Sequence, residues 1–209
     1  MEHANLTPLG LFWQAGPIVK AIILMLIAAL LTSLTIAREW EMGTMEQLLS
    51  TPVRASEIVL GKMLAFFTIG LLDMLIALVV GVAFFRVPLR GDPLLVVLMG
   101  GLFLFGALGW GVLISALVRS QVLAYQLGVI TSFLPAFLLS GFIFAIENMP
   151  PVVQGLTYLV PARYFIVILR GLFLKGIGLE LLVGEVLFLI GYAGVVFALA
   201  TRCVRRGVA

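Results

Sequence analysis

Charge is what this sequence has least of. Only 11% of its 209 residues are charged, against about 25% in soluble globular chains. That scarcity, with 63% hydrophobic residues and a mean hydropathy of +1.23, excludes an ordinary soluble domain and points to a membrane protein. One cysteine, Cys203, excludes an internal disulfide. We read it as an inert small residue at a helix end rather than a lipidation site. The one histidine, His3, belongs to no cluster. The net charge is +3 and the basic residues are scattered, so no nucleic-acid surface is expected. The motifs HExxH, CxxC and GxSxG are missing, and no catalytic residue, metal site or cofactor is expected in this chain. Gly61-Lys62-Met63 is not a phosphate loop: Ser56 stands where the first glycine is needed, and Met63 where a magnesium-binding Ser or Thr is needed. The start, MEHANLTPLGLFWQAGP, lacks a basic region before an apolar core and a small-residue cleavage site, so it does not read as a signal peptide.

Long apolar runs are plentiful. A helix crossing the hydrocarbon needs about 20 apolar residues. Five stretches supply them, at 17–37, 63–85, 93–118, 122–146 and 181–201, with Pro135 inside the fourth. The expected fold class is all-α: a polytopic helical membrane protein, with 1–209 as a single transmembrane domain. Between the fourth and fifth stretches lies ENMPPVVQGLTYLVPARYFIVILRGLFLKGIG, apolar but broken by Pro150, Pro151, Gly155, Pro161, Gly171, Gly176 and Gly178. Glu147 and Asn148 open it and Arg170 charges its second half. Its longest run free of charge, Pro and Gly, 164–169, is too short to span, so 149–176 predicts a re-entrant pair of short helices. Backbone that leaves the helix at such depth must be covered by protein or line a wet cavity. Small residues recur every four positions at Ala29, Ser33 and Ala37 and at Ala107, Gly111 and Ser115. Such faces let helices approach closely in lipid, within one bundle or between subunits.

The phrase REWEMGTMEQLLSTPVR, at 38–54, carries five charges in seventeen residues. Arg38 marks the end of the first span, and Trp40 suits the headgroup layer. Gly43 allows a change of direction. Thr44 and Gln47 have the spacing of a capping box, Glu46 suits the helix dipole, Leu48 and Leu49 form an apolar face, and Pro52 stops the helix. The product is a helix at 44–51, and a new helix can start at Ser56, an N-cap candidate with Glu57 beside it. Alone the helix at 44–51 is too short to be stable in water, so it needs something to pack against. Having Glu46 and no basic residue before Arg54, it favours a protein partner over a lipid surface. Orientation follows from Lys and Arg. Leaving out the broken segment, seven lie on the side of this phrase and three on the other, which puts the phrase and the C-terminus in the cytoplasm.

Two carboxylates fall within spans. Asp73 is near the middle of the second, where insertion costs about 2.5–3.5 kcal/mol. It reads either as a pathway or proton-relay residue, or as a neutral, hydrogen-bonded Asp joining two helices. Glu185, one turn into the fifth span, can snorkel outward. The remaining span residues are mostly Leu, Phe and Val. Such walls suit an amphipathic, lipid-like or drug-like solute better than an ion, which needs rings of carbonyls or charges.

At these residues the sequence resembles the permease subunits of ABC-2 type ABC transporters. Those carry a Glu-x-Glu-x-Gly-Thr phrase and then a Leu-Leu-x-x-Pro helix. Here these are Glu39, Glu41, Gly43, Thr44, then Glu46, Gln47, Leu48, Leu49 and Pro52. VPLRGDP at 87–93 resembles the family's outer hairpin, and 138–176 resembles a span followed by re-entrant outer helices. The resemblance implies that 44–51 is a cytoplasmic coupling helix docking on a separate ATP-binding subunit, which would hold the ATP and magnesium. It implies a multi-pass protein of the inner or plasma membrane, paired with a second permease as a homo- or heterodimer. The function it implies is export out of the cytoplasm. Two departures stand out. Trp40 occupies a position where the family more often has a basic residue. A first span and an extracytoplasmic domain are lacking, so the chain looks like spans two to six. Two other functions compete: a proton-coupled secondary transporter working through Asp73, and a non-transporting membrane scaffold or assembly protein.

Overall fold

The structure, a computed structural model, describes residues 31, 34–39, 41–44, 54–83, 86–118, 120–141, 146–176 and 181–206. The first expected span lies outside these except for 31 and 34–37, and of the expected helix at 44–51 only Thr44 lies inside. The described residues are helical throughout, joined by short turns. This is the polytopic helical membrane architecture that the composition calls for.

Helix α1 (Ala55–Ala83) begins eight residues before the second apolar run. Its start is polar because it is capped: Arg54 N–H donates to Glu57 Oε2 at 3.0 Å, the reach-back half of a capping box. An extended hairpin, 86–92, leads to α2 (Pro93–Leu117). Asp92 caps α2 by accepting from Leu94 N at 2.9 Å, and Pro93 at the first position gives up an N–H that would have no partner anyway. Helix α3 (Gln121–Leu139) contains a π-helical turn, Val129–Phe133, just before Pro135. The proline removes an N–H from the ladder, and the wider turn accommodates the break.

The broken segment forms α4 (Pro151–Thr157) and α5 (Pro161–Arg170), which continues into a second π turn, Gly171–Lys175. The axes of the pair meet at 81°. Pro161 explains the elbow: the residue before a proline is driven out of the helical region, and Val160 is extended. Arg163 locks the bend. Its guanidinium donates to Thr157 Oγ1 and stacks 3.8 Å over the Tyr158 ring. Tyr164 OH donates to Tyr158 O at 2.9 Å. Helix α6 (Val183–Arg206) completes the bundle.

Among the described residues four helices, α1, α2, α3 and α6, are long and apolar enough to cross a membrane. A bend of 81° makes the α4–α5 pair a broken span or a re-entrant element and not a straight span. Helix α2 is the hub: most of it is buried, whereas α1, α3 and α6 turn most of their apolar surface outward. Phe103 of α2 stacks on Phe165 of α5 with centroids 4.4 Å apart. Gly106 lets α6 come close, since a Cβ there would lie 2.8 Å from the Tyr192 ring.

At one end of the bundle the hairpin is docked on the π turn after α5. Gly91 N donates to Leu172 O at 2.9 Å and Arg90 N to Phe173 O at 3.3 Å. These bonds satisfy carbonyls that the end of a helix leaves without partners. A Cβ on Gly91 would lie 2.7 Å from Leu172 O, so only glycine permits this approach. Arg170 Nη2 donates to Gly141 O at 2.9 Å, tying α5 to the end of α3.

Candidate functional site

At the opposite end the chain enters through the helical residues 34–39. Met42 N donates to Arg38 O at 3.0 Å, and Gly43 then turns the chain with φ +70°, a left-handed conformation that glycine adopts without strain. Thr44 Oγ1 donates to Glu39 O at 3.4 Å. The hydroxyl thus serves the helix before it. Gln47, its expected partner, lies outside the described residues, as do Glu46, Leu48, Leu49 and Pro52.

Each of the two glutamates of this phrase holds a different helix. Glu39 Oε1 pairs with Lys62 Nζ of α1 at 2.5 Å, both side chains being partly buried. Its second oxygen, Oε2, is buried with no hydrogen-bond partner among the described residues. Glu41 accepts from Gln121 N at 2.7 Å and from Gln121 Nε2 at 2.6 Å. Gln121 opens α3, and Ser120 makes no side-chain cap there. Glu41, from eighty residues away, therefore does the capping. A carboxylate suits a helix N-terminus, where N–H groups and the dipole favour negative charge. The Gln121 backbone N–H, and then its side-chain amide, hold the Glu41 carboxyl below its ordinary value of 4.5.

The third tie is to α2. The fully buried Ser115 Oγ accepts from Ile36 N at 3.0 Å and from Ala37 N at 2.8 Å. Ala37, Ile114 and Ala124 form a small core beside it. The small faces read from sequence at Ala37 and Ser115 thus meet each other inside one chain. Residues 36–41 are bound to α1, α2 and α3 at once, which makes them a mechanical junction.

Two outcomes follow from this geometry. Ser115→Ala removes the acceptor of two buried N–H groups, and interhelical hydrogen bonds in membranes are worth about 0.6–2 kcal/mol. A lower melting temperature in detergent and faster proteolysis near Gly43 are expected; unchanged values would mean that the N–H groups find another acceptor. Lys62→Met should destabilise more than Glu39→Gln. The first leaves a part-buried carboxylate uncompensated, a loss between the values for exposed pairs and buried ones, on the order of 1–3 kcal/mol. The second leaves a lysine that can snorkel to water. The two melting temperatures decide this, and the reverse order would contradict it.

The other expected residues lie apart from this junction. Asp73, half-buried in the middle of α1, makes no hydrogen bond or ion pair with a described residue. Glu185 sits in the first turn of α6, where the dipole favours it. Glu147 and Asn148 form an exposed 3₁₀ turn, and Gln154 Nε2 donates to Met149 O at 2.9 Å behind them. Pro150 precedes α4, and Pro151 and Pro161 start α4 and α5. Gly171 opens the π turn. Sequence reading did not identify Lys62, Gln121 or Gly91 as contact residues. The one available signal was polar residues, Lys62 and Gln121, sitting at the rims of apolar runs.

A profile described as ABC-2 type transporter matches residues 7–174. The chain is 47% identical over 172 residues to "Probable multidrug ABC transporter permease YbhS" of Escherichia coli (strain K12), covering 82% of this chain and 46% of that protein. It is 33% identical over 169 residues to "Probable multidrug ABC transporter permease YbhR" of the same strain, covering 81% and 46%. To "Inner membrane transport permease YhhJ" of that strain it is 32% identical over 203 residues, covering 95% and 52%. The chain spans about half the length of these curated relatives.

Proposed function

The chain belongs to the ABC-2 type transporter family, and on that footing we propose that it is the membrane-spanning part of a permease subunit in an ATP-driven exporter. Its helix at 44–51 docks on a separate ATP-binding subunit on the cytoplasmic side, and that subunit holds the ATP and magnesium. The cargo is an amphipathic, lipid-like or drug-like solute, in keeping with the apolar helices and with the multidrug names of two relatives. A second permease completes the pathway. The apolar outer face of α1, with Leu64, Ile76 and Val79 exposed, is free to meet lipid or that second copy.

The observation that carries this reading is the division of labour between the two glutamates. Glu39 grips Lys62 of α1, and Glu41 grips the start of α3. A push delivered to 44–51 would pass to both helices through short, charge-assisted contacts, which are stronger than neutral ones. Two-state elements held in this way are what coupling between distant sites requires.

The test is reconstitution of the full-length permease with its ATP-binding subunit in proteoliposomes. Accumulation of a fluorescent amphipathic cation is expected to require ATP and to survive collapse of any pH gradient. The competing reading rests on half-buried Asp73, which has no partner among the described residues. Transport driven by a pH gradient without ATP, and lost in Asp73→Asn, would establish that reading and overturn ours.

A further inference from the structure

A half-open cleft of about 140 Å³ lies at mid-depth in the bundle, and one of its residues, Trp110, also packs against the small core beside the junction. The walls of the cleft come from α2, α3, the elbow of α4 and α5, and α6. Phe103 and Trp110 belong to α2, Ser132 and Ala136 to the π turn of α3 and the helix after it, Val160 to the elbow, and Tyr192 to α6. A space of about 150 Å³ in an apolar core is enough to admit a benzene ring, so this cleft, whose rim is exposed at Thr131 and Leu159, has room for a six-membered ring.

The lining sets the chemistry. Three of these residues are aromatic, and ring faces and edges favour an aromatic guest. No charged residue lines the cavity, so nothing there neutralises an anion such as a carboxylate. It is not purely apolar either. Trp110 Nε1 donates to Thr131 Oγ1 at 3.1 Å, and that hydroxyl donates to Leu127 O at 2.6 Å, so this pair is already satisfied. The hydroxyls of Ser132 and Tyr192 have no protein hydrogen-bond partner among the described residues. A polar group held in an apolar layer gains by finding a partner. An acyl chain would fill the space but give these hydroxyls nothing.

We propose that this cavity is a binding site for uncharged single-ring aromatic alcohols and phenols. Its guest wedges between the π turn of α3 and the elbow of α4 and α5. Both are places where the helical ladder is interrupted and the backbone can give.

The experiment needs no ATP-binding subunit, so it stands apart from the exporter proposal. The full-length permease in lipid nanodiscs is titrated with 4-fluorophenol and followed by fluorine NMR, with empty nanodiscs as the partition control. Saturable binding above that control is expected. It should be about tenfold weaker for 4-fluorotoluene, which lacks the hydroxyl. Ala136→Leu, which fills the cavity, should abolish it. Ser132→Ala, a change too small to disturb folding, should weaken 4-fluorophenol and leave 4-fluorotoluene unaltered. Absence of a saturable component would overturn the proposal, as would equal affinity for the two probes, the result expected of an acyl-chain pocket. So would 4-fluorophenol affinity unchanged by Ser132→Ala.

Discussion

Replacing Glu41 with alanine should leave the protein inserted and folded but cut export about tenfold, within the usual range of coupling energies between sites, while its partner goes on hydrolysing ATP. The side chain is exposed and sits in no core, so its loss removes little packing. It does remove the cap of α3, because Glu41 accepts from both the N–H and the side-chain amide of Gln121. Glu41→Gln keeps an acceptor but loses the charge that suits a helix N-terminus, and should fall between the two. Acidification supplies an independent check. The carboxyl is held below its ordinary value in the folded protein. Its contribution is therefore complete above that value and is lost as pH falls through the lowered one. Thermal stability of the wild type should show this loss and that of Glu41→Gln should not. Full export by the alanine variant would remove Glu41 from the coupling path.

Gly91→Ala should be the most damaging single change at the other end. The new Cβ would lie 2.7 Å from Leu172 O, a backbone atom with no rotamer into which it can retreat. Overpacking of this kind costs about 1–3 kcal/mol. Pushing the hairpin away also weakens the N–H bonds of Arg90 and Gly91 to the π turn, each worth about 1 kcal/mol. The expected result is a sharp fall in yield of folded protein and in melting temperature. Gly155→Ala is the control. Nothing lies within 4 Å of its Cβ position, and alanine inside a helix is favoured over glycine by about 1 kcal/mol, so this variant should match or exceed the wild type. Equal behaviour of the two variants would mean that the hairpin does not depend on this close approach.

These contacts mark where sequence reading stops. The bilayer imposes composition and length on its helices, so the fold class was legible from scarce charge and long apolar runs alone. The elbow was legible because Pro161 constrains its own backbone and that of Val160. The polar start of α1 lies outside the apolar run, which marks only the part of a helix inside hydrocarbon, but it was legible from Ser56 and Glu57, and the helix begins at Ala55. Residues 55–62 continue the same helix out to Lys62's partner. The ties themselves join residues 23, 79 and 80 positions apart. Which charge meets which depends on how helices stack, and no local pattern carries that. Gly91 stood only as part of the VPLRGDP hairpin, and only the docked π turn reveals why a side chain is excluded there.

The helix expected at 44–51 is the point on which the exporter proposal stands or falls. A photoreactive residue in place of Leu48, in the full-length permease co-expressed with its ATP-binding subunit, reads its neighbour by crosslinking. The expected product is a covalent adduct with the ATP-binding subunit, its yield changing between nucleotide-free and ATP-bound states. Adducts with lipid alone, in both states, would contradict coupling through this helix.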